Sequence, residues 1–191
     1  MQNINMSART LGVLPKPVPF VDLKLQYKSI KVEIDRAIAS VLDTCQFVQG
    51  AHNAAFAQEF ASYCGVQECV LVANGTDALY LALRAMDVGP GDEVITTPMT
   101  FVATVEAIIN VGARPVFVDV TEPSYTLDAT KLQQAISTKT KAIIPVHLYG
   151  HPADMQAVMD VARQHDLFVI EDACQAHGAR YKGRRVGSYG D

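Results

Sequence analysis

Short apolar runs and amphipathic stretches alternate along most of this sequence. Apolar runs of four or five residues are separated by longer segments whose apolar residues recur every three or four positions. The first pattern is typical of buried strands and the second of helices. The predicted strands are 69–72, 93–96, 115–118, 142–146 and 167–170. Regular alternation of strand and helix predicts an α/β fold, with a mainly parallel sheet, helices on both faces and right-handed crossovers.

The same pattern predicts six helices and a terminal hairpin. The predicted helices are 26–44, 53–64, 76–86, 101–110, 128–136 and 152–165. The first should bury one apolar stripe, and Asp128 should cap the fifth. Residues 179–186 are expected to form a hairpin that turns at Lys182-Gly183. Residues 1–19, with prolines at 15, 17 and 19, are expected to form an extended arm.

Composition narrows the class of protein. Apolar residues make up 49% of the chain and charged residues 19%, as in ordinary globular proteins. The net charge of −4 does not suit a nucleic-acid binder. Apolar runs fall short of the roughly 20 residues of a membrane span, and the start lacks a signal-peptide core. We therefore expect neither nucleic-acid nor membrane partners. The four cysteines lack the spacing of a metal site or a disulfide framework. We expect them to be reduced thiols in a cytoplasmic protein without a metal.

The turn between the first strand and its helix is a candidate phosphate site. It reads Ala73-Asn74-Gly75-Thr76-Asp77. Glycine allows close approach of the backbone, and the free N–H groups of a helix N-terminus favour an anion. The alternative is structural: Asn74 or Thr76 caps the helix and Gly75 makes the turn. The turn matches neither the dinucleotide-binding nor the Walker glycine pattern.

Two further candidates lie after other strands. Phe101 could stack on a planar ligand, although a core phenylalanine at a helix start is the plainer alternative. Asp172, at the end of the last strand, could pair with a protonated ring nitrogen, and Gln175 could bind a ring substituent. A structural ion pair of Asp172 with Arg180 or Arg184 is the alternative. His177 is interpreted as an ordinary hydrogen-bonded histidine.

Together the three candidates describe one ligand. A phosphate site, an aromatic face and a carboxylate for a ring nitrogen fit pyridoxal 5'-phosphate, whose pyridinium nitrogen pairs with an aspartate in enzymes that use it. Open α/β sheets bind ligands at the carboxyl ends of their strands, where all three segments are expected. The sequence therefore predicts a pyridoxal-phosphate site at this edge of the sheet.

Six collinear motifs resemble one family. They read VPFVDLKLQY, NGTDALYLAL, GPGDEVITTPMTFVATVEAI, GARPVFVDV, TKAIIPVHLYGHPADM and VIEDACQAHGARYKGRRVGSYGD. From about Pro19 to Asp191 the chain is similar to the DegT/DnrJ/EryC1/StrS family of pyridoxal-phosphate-dependent sugar-nucleotide aminotransferases. The resemblance implies the fold type I transferase architecture and a homodimer. It also implies glutamate as amino donor and a nucleotide-linked keto-deoxysugar as acceptor.

The resemblance assigns roles to individual residues. Gly75 and Thr76 match the family's phosphate-binding turn, with the backbone of Asp77 helping. Phe101 matches the aromatic that stacks on the pyridine ring. Asp172 matches the partner of the ring nitrogen, and Gln175 the side chain near the ring hydroxyl.

One expected residue has no counterpart. None of the eight lysines matches the lysine that forms a Schiff base with the cofactor in this family. We therefore expect residues 20–191 to be the N-terminal part of the cofactor-binding large domain, without the small C-terminal domain and with an incomplete sheet. The chain by itself is expected to be inactive. Two alternatives stay open: a pyridoxamine-phosphate-dependent sugar dehydratase of the same family, with histidine replacing the lysine, and a non-catalytic α/β module.

Overall fold

The computed structural model of the protein describes residues 19–191. The extended arm predicted for residues 1–19 therefore lies outside the described residues, except for Pro19. The chain divides into two compact units, one ending at Gly50 and one running from Ala51 to Asp191. The proposed domain boundary after residue 19 stays a prediction.

Helix α1, Leu23–Thr44, is the main element of the first unit. Asp22 caps it by accepting a hydrogen bond from the N–H of Leu25 at 2.9 Å, and Cys45 ends it in the left-handed conformation. The predicted helix is present, but its predicted buried stripe is wrong, because no residue of α1 is buried. Among residues 19–50 there is no second helix or strand against which that stripe could pack.

The second unit is built on a parallel sheet of four strands. They are β1 Glu93–Thr96, β2 Arg114–Phe117, β3 Thr140–Ile143 and β4 Phe168–Val169. The spatial order is β2-β1-β3-β4, and every neighbouring pair is parallel. A separate antiparallel hairpin, β5 Arg180–Tyr181 and β6 Arg184–Arg185, turns at residues 182–183 as predicted. The predicted α/β class with a mainly parallel sheet is confirmed.

Two helices of the second unit precede the sheet, and three connect its strands. In chain order they are α2 Ala51–Cys64, α3 Gly75–Ala85, α4 Val102–Asn110, α5 Leu132–Ala135 and α6 Met155–Gln164. The helix predicted at 128–136 is a 3₁₀ turn, Ala129–Lys131, that leads into the short α5; Asp128 caps it as predicted, accepting from the N–H of Thr130 at 3.1 Å. From Pro19 onwards, none of the helices combines the length and hydropathy that a membrane crossing requires.

Alternation along the strands divides the apolar residues between two cores. One core holds Val94 and Ala142 of the sheet with apolar residues of α3 and α4. The other holds Ile95, Ile143 and Val169 with apolar residues of α5 and α6. Because successive strand side chains point to opposite faces, the strands are apolar on both sides and must be covered twice. Helices therefore lie on both faces of the sheet, as predicted.

The strand predicted at 69–72 is wrong. The segment has no strand conformation, and the Val70 side chain is 83% exposed. A strand is stabilised by hydrogen bonds to a neighbour, and among residues 19–191 no strand pairs with this segment. Its apolar composition alone could not reveal the absence of a partner.

Candidate active site

A pocket of about 460 Å³ opens at the carboxyl ends of β1, β3 and β4. It is lined by segments that follow these strands and by the N-terminus of α3. Five of the predicted cofactor-binding residues line it: Gly75, Thr76, Phe101, Asp172 and Gln175. Asp77, the sixth, does not. Parallel strands place their carboxyl ends at one edge of the sheet, which explains why residues about 100 positions apart in sequence meet here.

Asp172 is held at the base of the pocket. Its backbone continues the sheet: its N–H donates to the Pro145 carbonyl at 2.9 Å, and its carbonyl accepts from the N–H of His147 at 3.0 Å. The residue is only 6% exposed. Its Oδ2 accepts from the Thr104 hydroxyl at 2.6 Å, and its Oδ1 accepts from the N–H of Cys174 at 3.3 Å.

No cationic side chain neutralises this carboxylate within residues 19–191. The two arginines that the sequence offered as ion-pair partners of Asp172 form hydrogen bonds with other residues. Arg180 donates to the Gly183 carbonyl at 2.6 Å, and Arg184 donates to Ser188. The structural ion pair is therefore absent. Because a buried charge without a counter-charge is costly, a carboxylate that faces a pocket suits a cationic ligand atom.

The N-terminus of α3 is capped by Asn74 and keeps two free N–H groups. Asn74 Oδ1 accepts from the N–H of Asp77 at 2.9 Å, so the capping interpretation holds. In the described part of the chain, the N–H groups of Gly75 and Thr76 have no acceptor and stay available. The N–H of Asp77 is already committed to Asn74, so its contribution to phosphate binding would require that bond to be shared.

Gly75 allows the end of the sheet to approach α3. A Cβ added at Gly75 would lie 2.8 Å from Cys174 Sγ, closer than such atoms normally come. Cys174 itself lines the pocket beside Asp172. Burial raises the pKa of the Cys174 thiol to about 11, helped by the charge of Asp172 and a hydrogen bond to it. The thiol is therefore neutral at physiological pH.

Phe101 is not a core residue. It precedes the first turn of α4 in an extended conformation, one residue before the helix that was predicted to include it. Its side chain is 66% exposed and lines the pocket. An exposed aromatic at a pocket wall offers a flat apolar face to a ring.

Gln175 is oriented by a neighbouring loop. Its Oε1 accepts from the N–H of Tyr149 at 2.9 Å. Tyr149 has φ of 54°, a left-handed conformation that is unusual for tyrosine. With the carbonyl end of the amide engaged, the NH₂ end of Gln175 has no acceptor within residues 19–191 and stays available as a donor.

Glu171, next to Asp172 in sequence, serves the structure instead of the pocket. Its carboxylate accepts from His147 Nε2 at 2.9 Å and from the backbone N–H groups of Gly187, Tyr189 and Gly190. Burial raises the pKa of Glu171, but these hydrogen bonds outweigh it and the net pKa is lowered. His147 Nδ1 accepts from the N–H of Ala153 at 3.0 Å, so a neutral ring that donates through Nε2 satisfies both partners.

His177 differs from its interpretation as a hydrogen-bonded histidine. Its ring lies edge-on to Phe60, with centroids 6.1 Å apart, and no hydrogen bond to it is formed by residues 19–191. Thr104, His147 and Tyr149 were not singled out from the sequence. Thr104 had a detectable signal: a polar side chain on an apolar helix, three residues after Phe101. Groups of three or more potential metal ligands do not occur in the described part of the chain.

The arrangement suits one kind of ligand. Free backbone N–H groups at a helix N-terminus suit a phosphate, Phe101 suits a planar ring, and the buried carboxylate of Asp172 suits a protonated ring nitrogen. All of them line one pocket. A phosphorylated pyridinium compound meets each requirement.

Known proteins resemble this chain over most of its length. A family model described as "DegT/DnrJ/EryC1/StrS aminotransferase family" matches residues 28–191. A curated relative from Streptomyces venezuelae, dTDP-3-amino-3,4,6-trideoxy-alpha-D-glucose transaminase, is 49% identical over 171 residues, which are 90% of this chain and 45% of that protein. The chain thus spans about half the length of that relative.

Solved structures share the fold. The crystal structure of DesV from S. venezuelae superposes with a TM-score of 0.87 at 49% identity, covering 89% of this chain and 46% of that one. The ntda protein of Bacillus subtilis, solved with bound cofactor PMP, superposes with a TM-score of 0.81 at 36% identity, covering 87% of this chain and 38% of that one.

Proposed function

The chain belongs to the DegT/DnrJ/EryC1/StrS aminotransferase family, and we propose that it forms the cofactor-binding part of an aminotransferase that uses pyridoxal 5'-phosphate and acts on nucleotide-linked keto-deoxysugars. The observation that carries the proposal is the carboxylate of Asp172. It is 6% exposed, faces the pocket and lacks a cationic partner among residues 19–191. The protonated ring nitrogen of the cofactor would supply the missing charge.

The other residues hold the remaining parts of the cofactor. Gly75 and Thr76 offer N–H groups to its phosphate, with Asp77 helping only if its N–H is shared. Phe101 would cover one face of the ring, and the amide NH₂ of Gln175 would donate to the ring hydroxyl. Bound in this way, pyridoxal phosphate would supply an electron-accepting ring for amino-group transfer. The protein's task is to orient the ring and keep its nitrogen charged.

The proposed substrate class is taken from the relatives of this chain. The 49%-identical relative from S. venezuelae is named for a dTDP-linked amino sugar. A nucleotide-linked keto-sugar is accordingly the proposed acceptor, and glutamate the proposed donor. The resemblance also supports a homodimer, and the spacing of the four cysteines favours a cytoplasmic location. These four statements are proposals about the whole protein, of which this chain spans about half the length of its relatives.

The proposed cofactor chemistry requires a lysine that forms a Schiff base with pyridoxal phosphate. None of the lysines in this sequence matches that residue of the family. None of the seven lysines among residues 19–191 lines the pocket. We place the Schiff-base lysine outside these 191 residues and expect the purified chain to bind cofactor without turning over substrate. Amino transfer from glutamate to a keto-sugar by the chain alone would overturn that placement.

Calorimetric titration with pyridoxamine 5'-phosphate tests the proposal. This form of the cofactor already carries its amino group and needs no lysine. We expect saturable one-to-one binding that weakens at least tenfold for pyridoxamine, which lacks the phosphate that would bind at the start of α3. No binding, or equal binding of the two compounds, would contradict the proposed function.

A further inference from the structure

Thr104 is the buried partner of the pocket carboxylate. Its hydroxyl lies 2.6 Å from Asp172 Oδ2, and the residue is fully buried. It projects from the first turn of α4, whose neighbouring residues Ala103 and Ala107 are apolar and buried. A hydroxyl at such a position needs a hydrogen-bond partner, and Asp172, 68 residues away in sequence, provides it.

The direction of the hydrogen bonds follows from the number of protons. An ionised carboxylate only accepts, so the single hydroxyl proton of Thr104 must be donated to Asp172. Thr104 Oγ1 lies 2.8 Å from Thr100 Oγ1, and its own proton is already used. Thr100 must therefore be the donor to Thr104. The result is a directed chain from Thr100 to Thr104 to Asp172.

This chain fixes one oxygen of the carboxylate. Oδ2 accepts the short bond from Thr104, whereas the bond from the N–H of Cys174 to Oδ1 is longer, at 3.3 Å. Two ionised oxygens offer about four acceptor positions in all, so these two donors leave capacity for a further donor in the pocket. The side-chain rotation of Asp172, and hence the direction of that capacity, is set by Thr104.

We infer that Thr104, supported by Thr100, is a positioning residue that aims the Asp172 carboxylate at the cofactor's ring nitrogen and keeps the shared proton on that nitrogen. The inference rests on the proposed function. A hydroxyl donor stabilises the ionised carboxylate over its protonated form. Without it, the proton between the carboxylate and the ring nitrogen moves toward the oxygen, and the ring loses positive charge.

The test uses the 191-residue chain and pyridoxamine 5'-phosphate labelled with ¹⁵N in the ring. Calorimetry gives the affinity, and the ¹⁵N chemical shift of the bound ligand reports whether its nitrogen is protonated. The variants are Thr104→Val, Thr104→Ser and Asp172→Asn. Thr138→Val, at an exposed position outside the pocket, is the matched control. Circular dichroism establishes folding, and Thr104→Ala replaces Thr104→Val should the latter not fold.

We expect Thr104→Val to weaken binding about tenfold, the usual scale for a lost hydrogen bond to a charged group, and to move the ¹⁵N shift toward the unprotonated value. Thr104→Ser should restore both, and Thr104→Val should add little in the Asp172→Asn background. Wild-type affinity and shift in Thr104→Val, with Asp172→Asn still impaired, would overturn the inference and leave the proposed function standing. Absence of binding by the wild-type chain would overturn both.

Discussion

The carboxylates of Glu171 and Asp172, adjacent at the end of β4, serve opposite sides of the chain. Asp172 accepts from Thr104 and faces the pocket, whereas Glu171 accepts from His147 Nε2 at 2.9 Å and from the backbone beyond the hairpin. The alternation of side chains in an extended segment separates the two. Neighbouring acidic residues therefore have different roles, one for the ligand and one for the fold.

Glu171→Gln should destabilise the chain without weakening cofactor binding directly. Its carboxylate accepts four hydrogen bonds, and the NH₂ of glutamine would face donors at one oxygen position. We expect a loss of about 2–4 kcal/mol in the free energy of unfolding, measured with urea. Glu122→Gln, at an exposed position, is the control and should change it by less than about 0.5 kcal/mol.

The contribution of Glu171 should also be visible in the pH dependence of the free energy of unfolding. Hydrogen bonds outweigh burial and lower the pKa of Glu171 below its ordinary value of 4.5. A lowered pKa means that the carboxylate stabilises the fold above that ordinary value, and that this stability is lost as pH falls through the lower folded value. Glu171→Gln should therefore flatten the loss of stability below pH 4.5. An unchanged pH profile in this variant would contradict the assignment.

Gly75 and Cys174 should show strong coupling. Gly75→Ala places a Cβ 2.8 Å from Cys174 Sγ, so the thiol or the start of α3 must move. We expect a cost of about 1–3 kcal/mol in unfolding free energy, as for other overpacked sites. Cys174→Ala removes the sulfur, and the double variant should recover most of that cost. Additive effects in this double-mutant cycle would show that the close approach does not exist.

Cys174 should be a poor nucleophile at neutral pH. Burial, the charge of Asp172 and a hydrogen bond to it raise the pKa of this thiol to about 11. Its alkylation by iodoacetamide, followed by peptide mass spectrometry, should rise with pH and approach its plateau only near that value. Asp172→Asn removes the neighbouring charge and should shift the profile to lower pH. An identical profile in this variant would contradict an ionised Asp172 beside the thiol.

Phe101 should matter for the ligand more than for stability. Its side chain is 66% exposed, so Phe101→Ala should change unfolding free energy by less than about 0.5 kcal/mol. Loss of ring stacking should weaken binding of pyridoxamine 5'-phosphate about three- to tenfold. Phe117→Ala, which removes a half-exposed phenylalanine outside the pocket, is the matched control and should leave the affinity unchanged.

Most of the fold could be predicted from the sequence because the spacing of apolar residues indicates which side chains are buried. Four of the five predicted strands exist since each is covered on both faces; Ile95 and Val94, for example, belong to opposite cores. The segment 69–72 has the same composition but no partner within residues 19–191, and pairing is a tertiary property. Composition along the chain therefore could not distinguish it from the other runs.

Residues of the candidate site could be predicted where they belong to a local sequence motif. Contacts between residues far apart in the sequence could not be predicted. Phe101 and Asp172 were found because each follows a strand end, and Gly75 because it lies in a short turn at the start of a predicted helix. The bond from Thr104 to Asp172 joins positions 68 residues apart and depends on how α4 lies on the sheet. The hydrogen bond from the N–H of Tyr149 to Gln175 likewise depends on the left-handed conformation of Tyr149, which no sequence pattern predicts.

The pairing of Asp172 with the ring nitrogen is tested most directly by changing that one ring atom. Affinities of the wild-type chain and of Asp172→Asn are measured by calorimetry for pyridoxamine 5'-phosphate and for its 1-deaza analogue, in which carbon replaces the nitrogen. The wild-type chain should prefer the nitrogen compound by about tenfold or more, since a buried charged pair is lost with the analogue, and Asp172→Asn should show little preference. Equal affinity of the wild-type chain for the two compounds would contradict the account.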